Sequence, residues 1–376
     1  MIFVAQDKDG ERIEYRDTKR YLWLLSLTVP LVPVLAVWLY FVFDENPIVT
    51  LMPFVYSFLL LPILDAVFGE DTSNPPPEIV EQMAEDQYYR VLLHLSVPLF
   101  WLGMLLSAWL VGTQELPWWG VLFMAVSAGY SAGTAITVGH ELGHKPSRLD
   151  RFSAMLANAV SGYGHFCIEH NKGHHTWVAT PEDPASARLN ESIYAFAIRE
   201  IPGTLRRGWS HEADRLGRKG HSFWHWRNEV LQGYAITLTV NIALIAVFGW
   251  MMVPYLLIHN FIGWYALTEA NYVEHYGLKR IKLENGRYEP VAPHHSWNTN
   301  HIVSNLMLFH LQRHSDHHAN PMRPYQALRN FDELPRLPSG YPGTFLLAAI
   351  PPLWRKIMNP KVMKWAGNDM SKVNTG

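Results

Sequence analysis

Residues 118–145 read WWGVLFMAVSAGYSAGTAITVGHELGHK, and this run decides how the chain folds. From Trp118 to Val138 it holds no charged side chain, and it has the ~20 residues a helix needs to cross a ~30 Å hydrocarbon layer. Only Gly139 separates Val138 from His140, so the polar H-E-L-G-H motif begins where the apolar run ends. The run therefore predicts a spanning helix that carries metal-ligand chemistry at its mouth.

The same alternation of apolar run and polar boundary extends outward in both directions. Lys and Arg are absent from Tyr21 to Tyr89, from Val91 to His144 and from Asn228 to Leu278, so all 31 basic residues lie elsewhere. Within these stretches Tyr21–Phe43, Pro47–Phe68 and Val91–Val111 are also of spanning length, given that ~20 apolar residues suffice. Residues 234–268 are uncharged too, and Phe248-Gly249-Trp250 breaks them into two short helices, 234–250 and 252–268. Six spans put both termini on one side. The basic residues avoid the connections at Asp44–Asn46, Gly112–Pro117 and Gly249, which makes the other side, with both termini, the cytoplasm. The first run follows a charged arm and continues into further spans, so it reads as a membrane anchor and not a cleaved signal. An all-α membrane protein follows, a six-helix bundle with a cytoplasmic helical cap, 139–233 and 269–376, that carries the histidines. Residues 1–376 form a single unit, with no repeat or low-complexity tract. A net charge of −2 excludes a general affinity for nucleic acid.

Eight of the 19 histidines fall in three clusters: His140 and His144; His170, His174 and His175; His314, His317 and His318. Each contains an i, i+4 pair, which on a helix shares one face with Cβ atoms roughly 5–6 Å apart, as two ligands of one ion require. H-E-L-G-H also matches the zinc peptidase signature, with Glu141 as general base. One catalytic zinc takes about three protein ligands, which leaves five clustered histidines unused; two metals use them all. Cys167 is the only cysteine, so a thiolate zinc site, an internal disulfide and a built-in iron-sulfur cluster are excluded. Its plain reading is a buried small side chain. Imidazole suits zinc, copper, iron and nickel alike. A site at the mouth of an apolar bundle suits a hydrocarbon substrate delivered from lipid, and attack on an inert C–H bond calls for redox-active iron.

The order H-x3-H, H-x3-H-H, H-x2-H-H between hydrophobic hairpins resembles the membrane-bound desaturase and hydroxylase superfamily. N-Y-V-E-H-Y-G at 271–277 and L-Q-R-H-S-D-H-H-A at 311–319 resemble, more closely, the integral-membrane alkane 1-monooxygenases of bacteria. The likeness runs from Leu64-Asp65 to Trp365-Ala366-Gly367. It implies a pair of non-haem irons held by nine histidines, the eight above and His275. It implies terminal hydroxylation of medium-chain linear alkanes with O₂ as co-substrate. It also implies electrons from rubredoxin, itself reduced by an NADH-dependent reductase, and a home in the bacterial inner membrane with the active site cytoplasmic.

Other residues acquire provisional roles from their position. Glu141, Glu169, Glu274 and Asp316 lie inside the ligand motifs, where a carboxylate commonly accepts the second N–H of a metal-bound imidazole. His294, His295, Asn298, Asn300 and His301 form a polar stretch that supports either this shell or the cap. Asp65, near the end of the second span, is a functional candidate by its depth and an interface residue by its closeness to Glu70 and Asp71. With no Gly-rich dinucleotide fingerprint and no haem-ligand motif, the electrons must come from another protein, for which Arg206, Arg207, Arg215, Arg218 and Lys219 offer a basic face. A desaturase of the same superfamily, a membrane zinc hydrolase and a metal-binding protein without chemistry are the competing classes.

Overall fold

The computed structural model describes residues 1–376. Its one sheet is an N-terminal hairpin, β1 (Ile2–Gln6) paired antiparallel with β2 (Arg12–Arg16), in the segment expected to be only a charged arm. The rest is helical. In chain order come α1 (Arg20–Val42), α2 (Pro47–Phe68), α3 (Gln87–Thr113) and α4 (Trp118–Gly143). There follow α5 (Arg148–Val160), α6 (166–177), α7 (Ile193–Gly217), α8 (Glu229–Phe248) and α9 (Met252–His275). The short α10 (Ile302–Met307) and α11 (His314–Ala319) precede α12 (Tyr341–Ala348) and α13 (Pro351–Trp365).

Five helices, α1 to α4 and α8, are long and apolar enough to cross a membrane, and the chain is a multi-pass membrane protein. The sixth expected span, 252–268, lies within α9, which is 24 residues long but interrupted by polar residues, among them His259, Asn260 and Glu269. Glu269, Asn271, Glu274 and His275 are all buried there, inside protein and away from lipid. Gly249, at φ +83, makes the turn between α8 and α9, a left-handed conformation that disfavours any side chain.

Small residues let α4 and α9 approach closely. Gly129 and Gly133 lie one helical turn apart, and a Cβ at either would stand 2.6 Å from His259 O or from Ala266 Cβ. Helices in lipid gain little from hydrophobic burial against each other, so such close contact supplies much of their attraction. The pairing fixes the levels of His140 and His275, on the ends of these two helices.

Within the segment 139–233, α5 and α6 pack back against the bundle. From the end of α4, α5 turns back alongside α4, α3 and α8, its final turn meets α9, and α6 returns. Three side chains on those helices donate to carbonyls at the α5 end: Trp101 Nε1 to Leu156 O (3.1 Å), Thr237 Oγ1 to Ala159 O (2.8 Å) and Trp264 Nε1 to Ser161 O (3.0 Å). Irregular backbone at bundle depth is tolerated when protein, and not lipid, meets its polar groups. The turn at Ser161, Gly162 and Tyr163 is buried accordingly, and Gly162 takes φ +73. On the opposite flank Trp354 of α13 packs against Tyr272 at a tilt and against Tyr276 edge-on, and covers the end of α9.

Gly133→Val should force α4 from α9 and lower stability by about 1–3 kcal/mol, the usual penalty of overpacking. Thermal unfolding of the detergent-solubilised protein measures this, and Leu102→Val on the exposed side of α3 should leave the midpoint unchanged.

Candidate metal centre

Four pieces of chain bring histidines to one end of the bundle. His140 and His144 close α4, His170, His174 and His175 lie on α6, His275 ends α9, and His314, His317 and His318 lie on α11. They form two groups. His140, His144, His170, His175 and His317 make one, His174, His275, His314 and His318 the other, and one ring nitrogen from each residue lies within 4.8 Å of the rest of its group.

The i, i+4 rule holds for His140 with His144 and for His314 with His318, but not on α6. There the pair expected to share an ion, His170 and His174, is divided between the groups, and His170 joins His175 instead. The cause is a π turn at His170–His174. On a regular α-helix residues five apart point about 140° from each other, because each residue turns the chain by about 100°. The wider π turn brings i and i+5 onto one side, and such turns recur at functional sites. His170 Nε2 and His175 Nε2 consequently lie 3.0 Å apart. His317, three residues after His314, likewise reaches across to the first group, so α6 and α11 each serve both.

The donor set fits metal ions. Nitrogens bound at right angles to one ion at about 2.1 Å stand about 3.0 Å from each other. The observed separations are 3.0 Å for His170 and His175, 3.1 Å for His175 and His317, and 2.8 Å for His314 and His318. Four rings, His140, His144, His174 and His275, carry a buried Nε2 with no protein partner, whereas in His314, His317 and His318 it is Nε2 that meets another imidazole or a carboxylate and Nδ1 that is left over. Burial, reinforced by neighbouring imidazoles, holds His144, His170, His314, His317 and His318 well below the usual histidine range, and brings His175 down to about 2. Neutral imidazole keeps the lone pair that a metal needs. His174 is the exception: burial pulls its pKa down, but Asp183 outweighs that and raises it.

Asp183 is a residue the sequence reading missed. Its Oδ2 lies 2.9 Å from His174 Nδ1, and its other oxygen accepts from Arg207 at 2.7 Å. It sits nine residues from His174 in a loop, with no periodicity to reveal it. Of the four expected carboxylates only Glu274 meets a histidine, with Oε2 3.2 Å from His314 Nε2, while Tyr341 O–H donates to its Oε1 at 2.6 Å. Glu141 pairs with Lys145, Glu169 with Arg207, and Asp316 with Arg323. Arg207 is thus an internal bridge between Asp183 and Glu169, not part of an outer basic face.

The polar stretch divides in the same way. His295 O lies 3.3 Å from His275 Nδ1 and accepts its proton, which leaves Nε2 for an ion. Asn298 holds Ser315, Asn300 holds Asn330, and Thr299 meets His301. Glu289, His294 and His295 converge as a third set of possible donors. Ala292 N–H, however, donates to His295 Nδ1 at 3.0 Å, so the ring proton sits on Nε2, which faces Glu289 and has no free lone pair. Asp65 is a buried structural acceptor for Ser304 N–H at 2.9 Å. Cys167 takes a contact from Asn158 Nδ2 at 3.2 Å, and burial pushes its thiol up to about 12, leaving it inert.

An apolar cavity with about 890 Å³ of empty space, in part open to the outside, runs between α2, α4, α9 and α12. Phe58, Leu61, Ile136, Leu267 and Phe345 are among its walls, and it ends on His140, His170 and His314, drawn from both groups.

Residues 116–345 match the sequence profile of the fatty acid desaturase family. The chain is 52% identical over 360 residues to an alkane 1-monooxygenase of Pseudomonas putida, covering 96% of this chain and 89% of that one. It is 50% identical to alkane 1-monooxygenase 1 of Alcanivorax borkumensis, covering 97% and 90%. The hydroxylase component of a xylene/toluene monooxygenase from Pseudomonas putida is 29% identical, covering 92% and 84%.

Asp183→Asn preserves the shape beside His174 but removes the charge that orients it. Metal affinity should fall about 10–100-fold, as removal of such partners typically does. Titration of the metal-free protein with Fe(II) checks this, and an unchanged affinity would make Asp183 a partner of Arg207 alone.

Proposed function

Since the chain belongs to the fatty acid desaturase family and, within it, to the alkane 1-monooxygenases, we propose that it hydroxylates the terminal carbon of medium-chain linear alkanes at a diiron centre. The observation that carries this reading is the apolar cavity that ends on His140, His170 and His314. Hydrolysis of a peptide needs a polar cleft, whereas an alkane needs walls such as Phe58, Leu61 and Leu267.

In this reading His140, His144, His170, His175 and His317 hold one iron and His174, His275, His314 and His318 the other. Bound iron supplies the redox chemistry of the reaction R-CH₃ + O₂ + 2 e⁻ + 2 H⁺ → R-CH₂OH + H₂O. The protein's part is positioning. The cavity walls exclude water and admit a chain end-on, so that a methyl group reaches the histidines although its C–H bonds are not the weakest in an alkane. Asp183 and the His295 carbonyl aim His174 and His275, and Tyr341 steadies Glu274 beside His314. Glu141, engaged by Lys145 and by Tyr325 N–H, is turned to a structural task and does not serve as the base of a peptidase.

The rest of the account follows from the same premise. α9 is the sixth span, and the polar segments after α4 and α9 form the histidine-bearing cap on the cytoplasmic side of a bacterial inner membrane, with both termini. Cys167 is the only cysteine and no redox group is built in, so reduced rubredoxin delivers the electrons and an NADH-dependent reductase replenishes it.

With octane, reduced rubredoxin and ¹⁸O₂, the purified protein should yield 1-octanol carrying one labelled oxygen. An alkene, or an alcohol labelled only from water, contradicts the proposal. His275→Ala should lose both iron and octane oxidation as completely as His144→Ala, and near-normal turnover in it would remove His275 from the ligand set.

A further inference from the structure

A second cleft, with about 1370 Å³ of empty space including its open side, lies among α5, α6, the end of α7 and the start of α8. Arg148, Arg151, Lys172, Arg215 and Lys219 line it, against the single carboxylate of Glu229. Arg215 is held by Glu212 and Glu229. The other four cations are exposed and pair with nothing. In a chain of net charge −2 this is a marked local excess.

The floor of the cleft lies directly behind the five-histidine group. Gly143 and Asn171 form part of it, and Asn171 Nδ2 donates to Gly143 O at 3.0 Å. Each is the chain neighbour of a histidine in that group, His144 and His170. A redox centre seated in the cleft is therefore separated from those two rings by little more than this one hydrogen-bonded pair.

We infer that this cleft is the docking site for an acidic face of the protein that delivers electrons to the centre. The inference rests on the monooxygenase reading, because that reaction draws two electrons from outside a chain whose sequence carries no dinucleotide fingerprint, haem-ligand motif or cysteine cluster. Exposed cations grouped around a shallow opening raise the encounter rate with an anionic partner and orient it, an effect that salt weakens. The observations favour a protein over an anionic lipid. The floor is polar, with Asn158, Asn171 and Gln232. The apolar part of its wall, Phe152, Ala154, Met155, Cys167 and Ile168, is interrupted by these polar side chains and by the cations at the rim, which suits a charged protein face better than acyl chains. Arg206, by contrast, is exposed on α7 but does not line the cleft.

The test uses the full chain in nanodiscs, with octane in excess and reduced rubredoxin as the varied substrate. In the triple variant Arg148→Glu, Arg151→Glu, Lys219→Glu the KM for rubredoxin should rise about tenfold or more and lose its salt dependence. Octanol formed in a single turnover, when the dithionite-reduced enzyme meets O₂, should stay at the wild-type level, as should iron content. Arg206→Glu should leave the KM unchanged. Should the triple variant fail to fold, the three single Gln variants carry the same test, each with a smaller rise. An unchanged KM in folded cleft variants overturns the inference. So does activity that follows the phosphatidylglycerol content of the nanodisc in the wild type but not in the variant, which assigns the cleft to a lipid headgroup. Failure of the wild type to form octanol even after chemical reduction is a different result, because it removes the monooxygenase reading itself.

Discussion

Nine imidazole rings crowded together, seven of them buried and two half-buried, set the terms for the rest of this fold. A buried polar atom left without a partner costs about 1–3 kcal/mol. Four such nitrogens, the Nε2 atoms of His140, His144, His174 and His275, stand among the nine rings. Their sum is comparable with the whole stability of an ordinary domain, about 5–15 kcal/mol, so the arrangement persists only if something else satisfies those lone pairs. Metal ions do so. The rings are kept neutral by their own burial, which is the form that binds. The close contact of α4 with α9, the returning hairpin of α5 and α6 and the seal made by α13 then read as the means of holding donors from four distant stretches of chain within one ion's reach.

The two groups are not equivalent. Both carboxylates that touch a ligand, Asp183 at His174 and Glu274 at His314, serve the four-histidine group. The five-histidine group has an additional imidazole and no anion against its rings. An ion in the first would gain compensation from Asp183 behind the His174 ring, with Glu274 beside the donor nitrogen of His314 itself, while an ion in the second would rely on neutral donors alone. The electropositive cleft lies behind the second, so the side with less negative charge is also the side that faces the basic opening.

Much of this was legible in the chain itself, and the exceptions share a cause. Apolar length announces α1 to α4 and α8, because lipid imposes a length that few other environments demand. The three histidine clusters are likewise conspicuous by spacing. What spacing misreads is α6: the i, i+4 rule pairs His170 with His174, and only the π turn, a property of backbone hydrogen bonding, pairs His170 with His175 instead. Asp183 escapes because a loop residue brought to a ring by tertiary folding leaves no periodic trace. The hairpin of α5 and α6 escapes for a related reason. Its charged and polar composition reads as exterior, yet its carbonyls are met by Trp101, Thr237 and Trp264 at bundle depth. His275 had no cluster to mark it and came only through likeness of motif; in the fold it is the final residue of a helix that runs straight on past its apolar part.

The claim on which everything else depends is that these nine histidines hold two ions, divided five and four. Anomalous scattering at the iron edge from crystals of the iron-loaded protein tests it without recourse to activity. Two separate peaks are predicted, one enclosed by His140, His144, His170, His175 and His317, the other by His174, His275, His314 and His318. A single peak, or a peak bound directly by Glu274 or Asp183 in place of histidine, would contradict the account.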